Sequence, residues 1–147
     1  MCQRVCVDAS VALMLVLEDP LTQAAQSLWE EWATDETHLL VPPLFRAEVT
    51  SVIRNYCHRG EIAVARGMEV LAEALSWPVS IFDPGSILQE TALRIATDTN
   101  QPRAYDAQYL ALALLLGCEF WTGDQRLVQS VSDKLSWVKW VGDYQPA

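Results

Sequence analysis

The chain has 147 residues, 51% of them hydrophobic, which is enough for one well-packed domain and too few for two ordinary ones. Its formal net charge of -9 and pI near 4.5 exclude a general electrostatic attraction to nucleic acid or to an anionic membrane, so any polyanionic ligand must be held locally. The longest apolar stretch, Tyr109 to Trp121, is interrupted by Gly117 and Glu119 and falls short of the ~20 residues of a membrane span; with no signal-peptide pattern at the start, a soluble protein without membrane contact is expected in the cytoplasm.

Arg4 to Val7 is valine-rich and weakly alternating, which predicts a strand; it ends in Asp8-Ala9-Ser10, and the apolar run Val11 to Leu17 predicts a helix. Asp19-Pro20 breaks the chain, after which Leu21, Ala25, Leu28, Trp29 and Trp32 recur at helical spacing. Trp29 and Trp32 suit either a subunit or partner-protein surface or packing inside the domain. His38 to Val41 predicts a strand stopped by Pro42-Pro43. A helix follows whose apolar face is Leu44, Phe45, Val49, Val52, Ile53 and Tyr56, closed by Gly60.

Glu61 to Ser76 predicts another helix, Pro78 to Phe82 a strand, and Ser86 to about Thr99 a helix opened by a Ser86/Gln89 capping box. Tyr105 to Leu116 is almost wholly apolar and ends at Gly117; a strand at Glu119 to Thr122, a helix at Gln125 to Val131 and a last strand at Trp137 to Val141 complete the pattern. Strands alternating with helices over the whole of residues 1–147, without repeat or linker, predict one α/β domain with helices on both faces of its sheet. Ligands of such sheets gather beyond the carboxyl ends of the strands. Cys2, Cys6, Cys57 and Cys118 form no C-x-x-C pair, and only His38 and His58 could supplement them, so they read as inert reduced thiols rather than a zinc site.

Asp8 ends the first strand and Asp124 follows the fourth, so both fall at that ligand-binding edge. Glu48 lies on the apolar stripe of its helix, four residues from Leu44 and four from Val52, where an ionised carboxylate needs a cation. Asp106 begins the helix continued by Tyr109, Leu110, Ala113 and Leu114, and the same reasoning turns it inward. Taken singly, Asp8, Asp106 and Asp124 read more readily as helix caps or first-turn charges than as a site; Glu48, well inside its helix, does not. Two carboxylates ~5 Å apart repel by roughly 3 kcal/mol at an effective dielectric of 20, so a cluster of four requires cations. An oxygen-only donor set selects Mg²⁺ or Mn²⁺, and such ions serve phosphodiester hydrolysis. Ser10 and Thr122 offer hydroxyls two residues from Asp8 and Asp124, either to orient a carboxylate or to cap a turn. Arg46, Arg103 and Arg126, each near one of the acids in sequence, are candidates for gripping flanking phosphates or for ordinary surface charges.

The segments V-D-A-S at Val7 to Ser10, P-P-L-F-R-A-E-V at Pro42 to Val49, Y-D-A-Q-Y-L-A-L-A at Tyr105 to Ala113 and W-T-G-D at Trp121 to Asp124 together resemble a PIN domain, most of all the VapC-type ribonuclease toxins. That resemblance covers essentially the whole chain. It implies a five-stranded parallel sheet of order 3-2-1-4-5, a Mg²⁺- or Mn²⁺-dependent endoribonuclease, a homodimer and a cognate antitoxin. It also implies that Asp8, Glu48, Asp106 and Asp124 are the catalytic metal-binding acids. The acidity of the chain points away from broad RNA cleavage and toward one structured RNA, such as tRNA or rRNA, recognised over a small area. A haloacid dehalogenase phosphatase would need a second acid where Ser10 stands, and a receiver domain is poorly served by Asp83 before Pro84 and by Lys139. The remaining rival is a non-catalytic PIN-like module binding metal or a partner protein.

Overall fold

The computed structural model describes residues 3–146. β1 (Arg4–Val7) leads into α1 (Ala9–Leu13) and α2 (Thr22–Thr34), then β2 (His38–Val41), α3 (Leu44–His58) and α4 (Val64–Leu75). β3 (Val79–Ile81), α5 (Ser86–Asp98), α6 (Tyr105–Leu116), β4 (Glu119–Thr122), α7 (Gln125–Val131) and β5 (Val138–Trp140) complete it, followed by a 3₁₀ turn at Val141–Asp143. The strands form one parallel sheet of order β3-β2-β1-β4-β5, as expected. Parallel neighbours require crossovers, and the helices supply them.

Consecutive residues of a strand point to opposite faces, yet Val5, Cys6 and Val7 of β1 are all buried, so helices cover both faces of the central strand. α6 packs on β1 and β4 with α5 against it, while α1 packs on α3 and β4, and α4 on α3. Gly117 ends α6 in the left-handed region at φ 64°, a turn that a glycine makes without steric cost, and delivers the chain to β4. The carboxyl ends of all strands therefore lie along one edge.

The predicted elements are present with two informative differences. The first helix begins two residues early, because Asp8 caps it, and after Leu13 the chain tightens into turns, with Leu15 and Val16 donating to carbonyls three residues back. The capping box at Ser86 does not form. Gly85, at φ 86°, holds the cap position and makes no side-chain bond, while the Gln89 amide exchanges two hydrogen bonds of 3.0 and 2.6 Å with Gln108 on α6. Ser86 is already the first helical residue, one position too late to cap.

Trp29 and Trp32 serve internal packing. Trp32 is only 5% exposed and meets Trp29 and Trp121 edge-on at 5.7 and 6.2 Å between ring centroids; Trp29 also packs against Trp77 at 5.8 Å. Trp32→Ala is therefore expected to cost about 3–5 kcal/mol in urea unfolding, with sedimentation unchanged under native conditions. A shift in oligomeric state at wild-type stability would restore the surface role. Cys6, Cys57 and Cys118 are free thiols, as expected, and Cys6 is buried; Cys2 lies outside the described residues. No helix among the described residues is long and apolar enough to cross a membrane.

Candidate active site

The polar web at the carboxyl edge starts from Asp8. Its Oδ1 accepts from the Ser10 and Val11 backbone N–H groups, at 2.8 and 3.3 Å, and from the Ser10 hydroxyl; its Oδ2 accepts from the Thr122 hydroxyl. Each hydroxyl is held from behind. Gly123 N–H donates to Ser10 Oγ at 2.9 Å and Asp124 N–H donates to Thr122 Oγ1 at 3.0 Å, so the ends of β1 and β4 are tied through Asp8. A Cβ at Gly123 would stand 3.1 Å from Ser10 Oγ, close enough to press on this web, and 2.1 Å from Met14 Cε, the movable end of a side chain. Asp124 caps α7, accepting from Leu127 N–H at 3.1 Å. The capping roles of Asp8 and Asp124 are thus both real, and neither consumes the whole carboxylate.

Asp8, Glu48, Asp106 and Asp124 line one cavity of about 250 Å³. Glu48 reaches it from the middle of α3, as its place on the apolar stripe predicts, and its Oε1 is buried without a hydrogen-bond partner among the described residues. Asp106 corrects the expectation. It is exposed at the mouth of the cavity rather than turned into the core. α6 is apolar almost all round, so its sequence offers too little contrast between faces to orient the first turn.

Burial raises the proton affinity of Asp8, Glu48 and Asp106, and neighbouring carboxylates add to it for the last two. Asp8, 8% exposed, is pushed up to about 6 by burial, against the opposing effect of its hydrogen bonds. Glu48 is pushed up to about 7 by burial, then by the charges of Asp8 and Asp106, with the Tyr109 hydroxyl acting in the other direction. Asp106 is raised by partial burial and then by Asp124. The acids are therefore electrostatic neighbours in the order Asp8, Glu48, Asp106, Asp124. They do not form a finished cage, because among the described residues no three His, Cys, Asp or Glu side chains close into a ready-made metal site. The donor set nonetheless fits a hard divalent cation: it is all oxygen, and the buried, unpartnered Glu48 Oε1 lacks the positive partner or donor it requires.

Glu18, Asp19 and Tyr56 also line the cavity. In the sequence the first two stand out only as the polar end of an apolar run, and nothing in local spacing links them to Asp8. Arg103 and Arg126 line an adjoining concavity that shares Asp106 and Asp124 with the first. Ion pairs among the described residues join Arg59 to Glu61 and Arg66 to Glu69, and neither Arg103 nor Arg126 is engaged in one. Arg46 does not reach the site. It is two residues from Glu48, roughly 200° around the helix, and is exposed on the other side of α3.

A family model described as PIN domain matches residues 5–131. The chain is 35% identical over 121 residues to VapC ribonuclease Mb0985 of Mycobacterium bovis and to Ribonuclease VapC9 of Mycobacterium tuberculosis, covering 82% of this chain and 86% of each relative. Among solved structures, PAE2754 of Pyrobaculum aerophilum superposes with a TM-score of 0.69 at 20% identity, over 97% of this chain and 93% of that one. VapC20 of Mycobacterium tuberculosis, titled a sarcin-ricin loop cleaving toxin, gives 0.59 at 19% identity, over 81% and 87%. At those identities the two structures bear on the fold alone.

Proposed function

The chain belongs to the PIN domain family, with VapC-type ribonucleases among its relatives, and from that premise we propose that it is a Mg²⁺- or Mn²⁺-dependent endoribonuclease, the toxin of a toxin–antitoxin pair. The observation that carries this reading is the buried, unpartnered Glu48 carboxylate oxygen in a cavity shared with Asp8, Asp106 and Asp124. A protein interior does not keep such an oxygen uncompensated without use for it.

In this reading Asp8, Glu48, Asp106 and Asp124 hold the cation and are the catalytic acids. A bound divalent ion supplies the charge that activates water and stabilises the departing oxygen of the phosphodiester. The chain does the rest by position. Ser10 and Thr122 fix both oxygens of Asp8, so that this carboxylate presents one orientation without a search among rotamers. Arg103 and Arg126, uncommitted to ion pairs, grip the phosphates beside the cleaved one, while Arg46 drops out of the set. With a net charge of -9 the surface repels RNA in general, which favours one structured RNA, such as tRNA or rRNA, seated over a small area. Residues 1–147 act as a single nuclease domain in the cytoplasm, as a homodimer, silenced by a cognate antitoxin protein.

The rival reading, a non-catalytic PIN-like module that binds metal or a partner, has one observation on its side: Asp8 and Asp124 already have structural work as caps. Incubation of purified protein with total RNA decides between them. Fragmentation that needs Mg²⁺ or Mn²⁺, and that stops with EDTA, is expected. RNA left whole with every divalent metal, including by protein released from its antitoxin, would leave the interaction module.

A further inference from the structure

The loop that carries Asp124 is also held from the last strand. Trp140 ends β5 and pairs with Thr122 in the β4–β5 ladder, so the two side chains leave the same face of the sheet. The half-buried indole lies across Gly142, where a Cβ would stand 2.3, 2.4 and 2.5 Å from its Cη2, Cζ2 and Cζ3. From there Nε1–H donates to the Gly123 carbonyl at 3.3 Å. The N–H of that same peptide unit belongs to Asp124 and donates to Thr122 Oγ1 at 3.0 Å, and the Thr122 hydroxyl donates to Asp8 Oδ2. Every donor in this run points toward the Asp8 carboxylate, so the bonds polarise one another in one sense.

The glycine explains why a clamp is needed there. Backbone beside a glycine rotates more freely than beside any other residue, and a turn of the Gly123–Asp124 peptide would take its N–H off Thr122 and swing Asp124 with it. Position 123 has no side chain of its own to prevent this. We infer that Trp140 is a positioning residue for the acid site: its indole N–H locks the Gly123–Asp124 peptide, and through it the orientations of Asp124 and of Thr122 behind Asp8. This rests on the metal-dependent reading above. Trp140 itself does not line the acid cavity, so its effect passes through the residues that do.

Trp140→Phe keeps an aromatic ring and removes the N–H; Gly142→Ala keeps the N–H and displaces the ring that delivers it. Circular dichroism checks that each folds, and should the first not fold, the second carries the test. In metal-free protein, hydrogen exchange followed by NMR is expected to show lost protection at the Asp124 N–H, with Val7 in β1 protected as in wild type. Mn²⁺ titration followed by electron paramagnetic resonance should give a dissociation constant about 10-fold weaker than wild type in both variants, and RNA cleavage at saturating Mn²⁺ a lower kcat with KM unchanged. In a Thr122→Val background the Trp140 substitution should add nothing, because the peptide it holds has already lost its acceptor. Wild-type Mn²⁺ affinity in the folded variants, whether or not Asp124 exchanges faster, or an equal loss in both backgrounds, overturns the proposal and leaves Trp140 a packing aromatic. Mn²⁺ bound by Asp8→Asn as tightly as by wild type overturns the metal-site reading itself, and this proposal with it.

Discussion

Asp8→Asn is expected to lower metal-dependent RNA cleavage by about 10³-fold or more, roughly 4 kcal/mol of barrier, while the circular dichroism spectrum stays that of wild type. The asparagine carbonyl can still accept from Ser10 and Val11 N–H, so the cap of α1 is retained, and its amide can donate to Thr122 Oγ1 in place of the bond now running the other way. What goes is the negative charge of the one site acid that is buried and fixed through both oxygens, and a neutral amide cannot hold a divalent ion comparably. Asp106→Asn should show the same loss by a simpler route. Asp106 is exposed, so its replacement leaves the packing alone and removes only charge at the mouth of the cavity. Either variant cutting RNA at the wild-type rate with the same metal, in preparations free of contaminating nuclease, would remove these acids from the chemistry.

The second large effect concerns stability. The folded protein holds protons on Asp8 and Glu48 up to about pH 6 and 7, whereas an unfolded chain releases them near pH 4. Stability must then fall as pH rises from about 4 to 7, because over that window the folded state binds more protons than the unfolded one. Asp8, almost wholly buried, contributes on the order of 3 kcal/mol to that fall, and Glu48 less than its shift alone would give, because it is partly open to screening by solvent. In EDTA the wild type should therefore melt lower at pH 8 than at pH 5, by about 10 °C. Glu48→Gln removes the carboxylate that has no hydrogen bond to lose and should melt above wild type in EDTA at pH 8. Asp106→Asn should help less, since its charge already faces solvent. Mg²⁺ reverses the ranking. An ion bound at about a hundred times its dissociation constant adds ~2.7 kcal/mol, most at pH 8, where the acids are ionised, and Glu48→Gln should gain little of it. A wild type whose melting ignores both pH and metal would show that the acids are not crowded in the way their placement requires.

Much of this was legible in the residues. Alternation and glycine stops located each strand within two residues, and Glu48 was found because a carboxylate on a helix's apolar stripe contradicts its surroundings. Orientation was legible only where the sequence had contrast. Asp106 starts a helix apolar on nearly every side, and its outward turn had to come from the packed molecule. Glu18 and Asp19 escaped notice for a different reason. Their significance lies in neighbours remote in sequence, since the cavity they line is shared with Glu48, Asp106 and Asp124. The failed capping box illustrates the same limit, since Gln89 is drawn to Gln108 on α6, which no local motif announces.

The pairing of β1 with β4 brings residue 5 beside residue 119, and with it Thr122 to Asp8. So distant a closure is among the slower steps by which a chain acquires its native form. Until it happens Asp8 has lost one of its tethers and Asp124 is elsewhere, so a half-assembled chain is chemically mute. On the proposed nuclease reading, competence would arrive together with the finished sheet, in one event, and leave with it when that central seam opens.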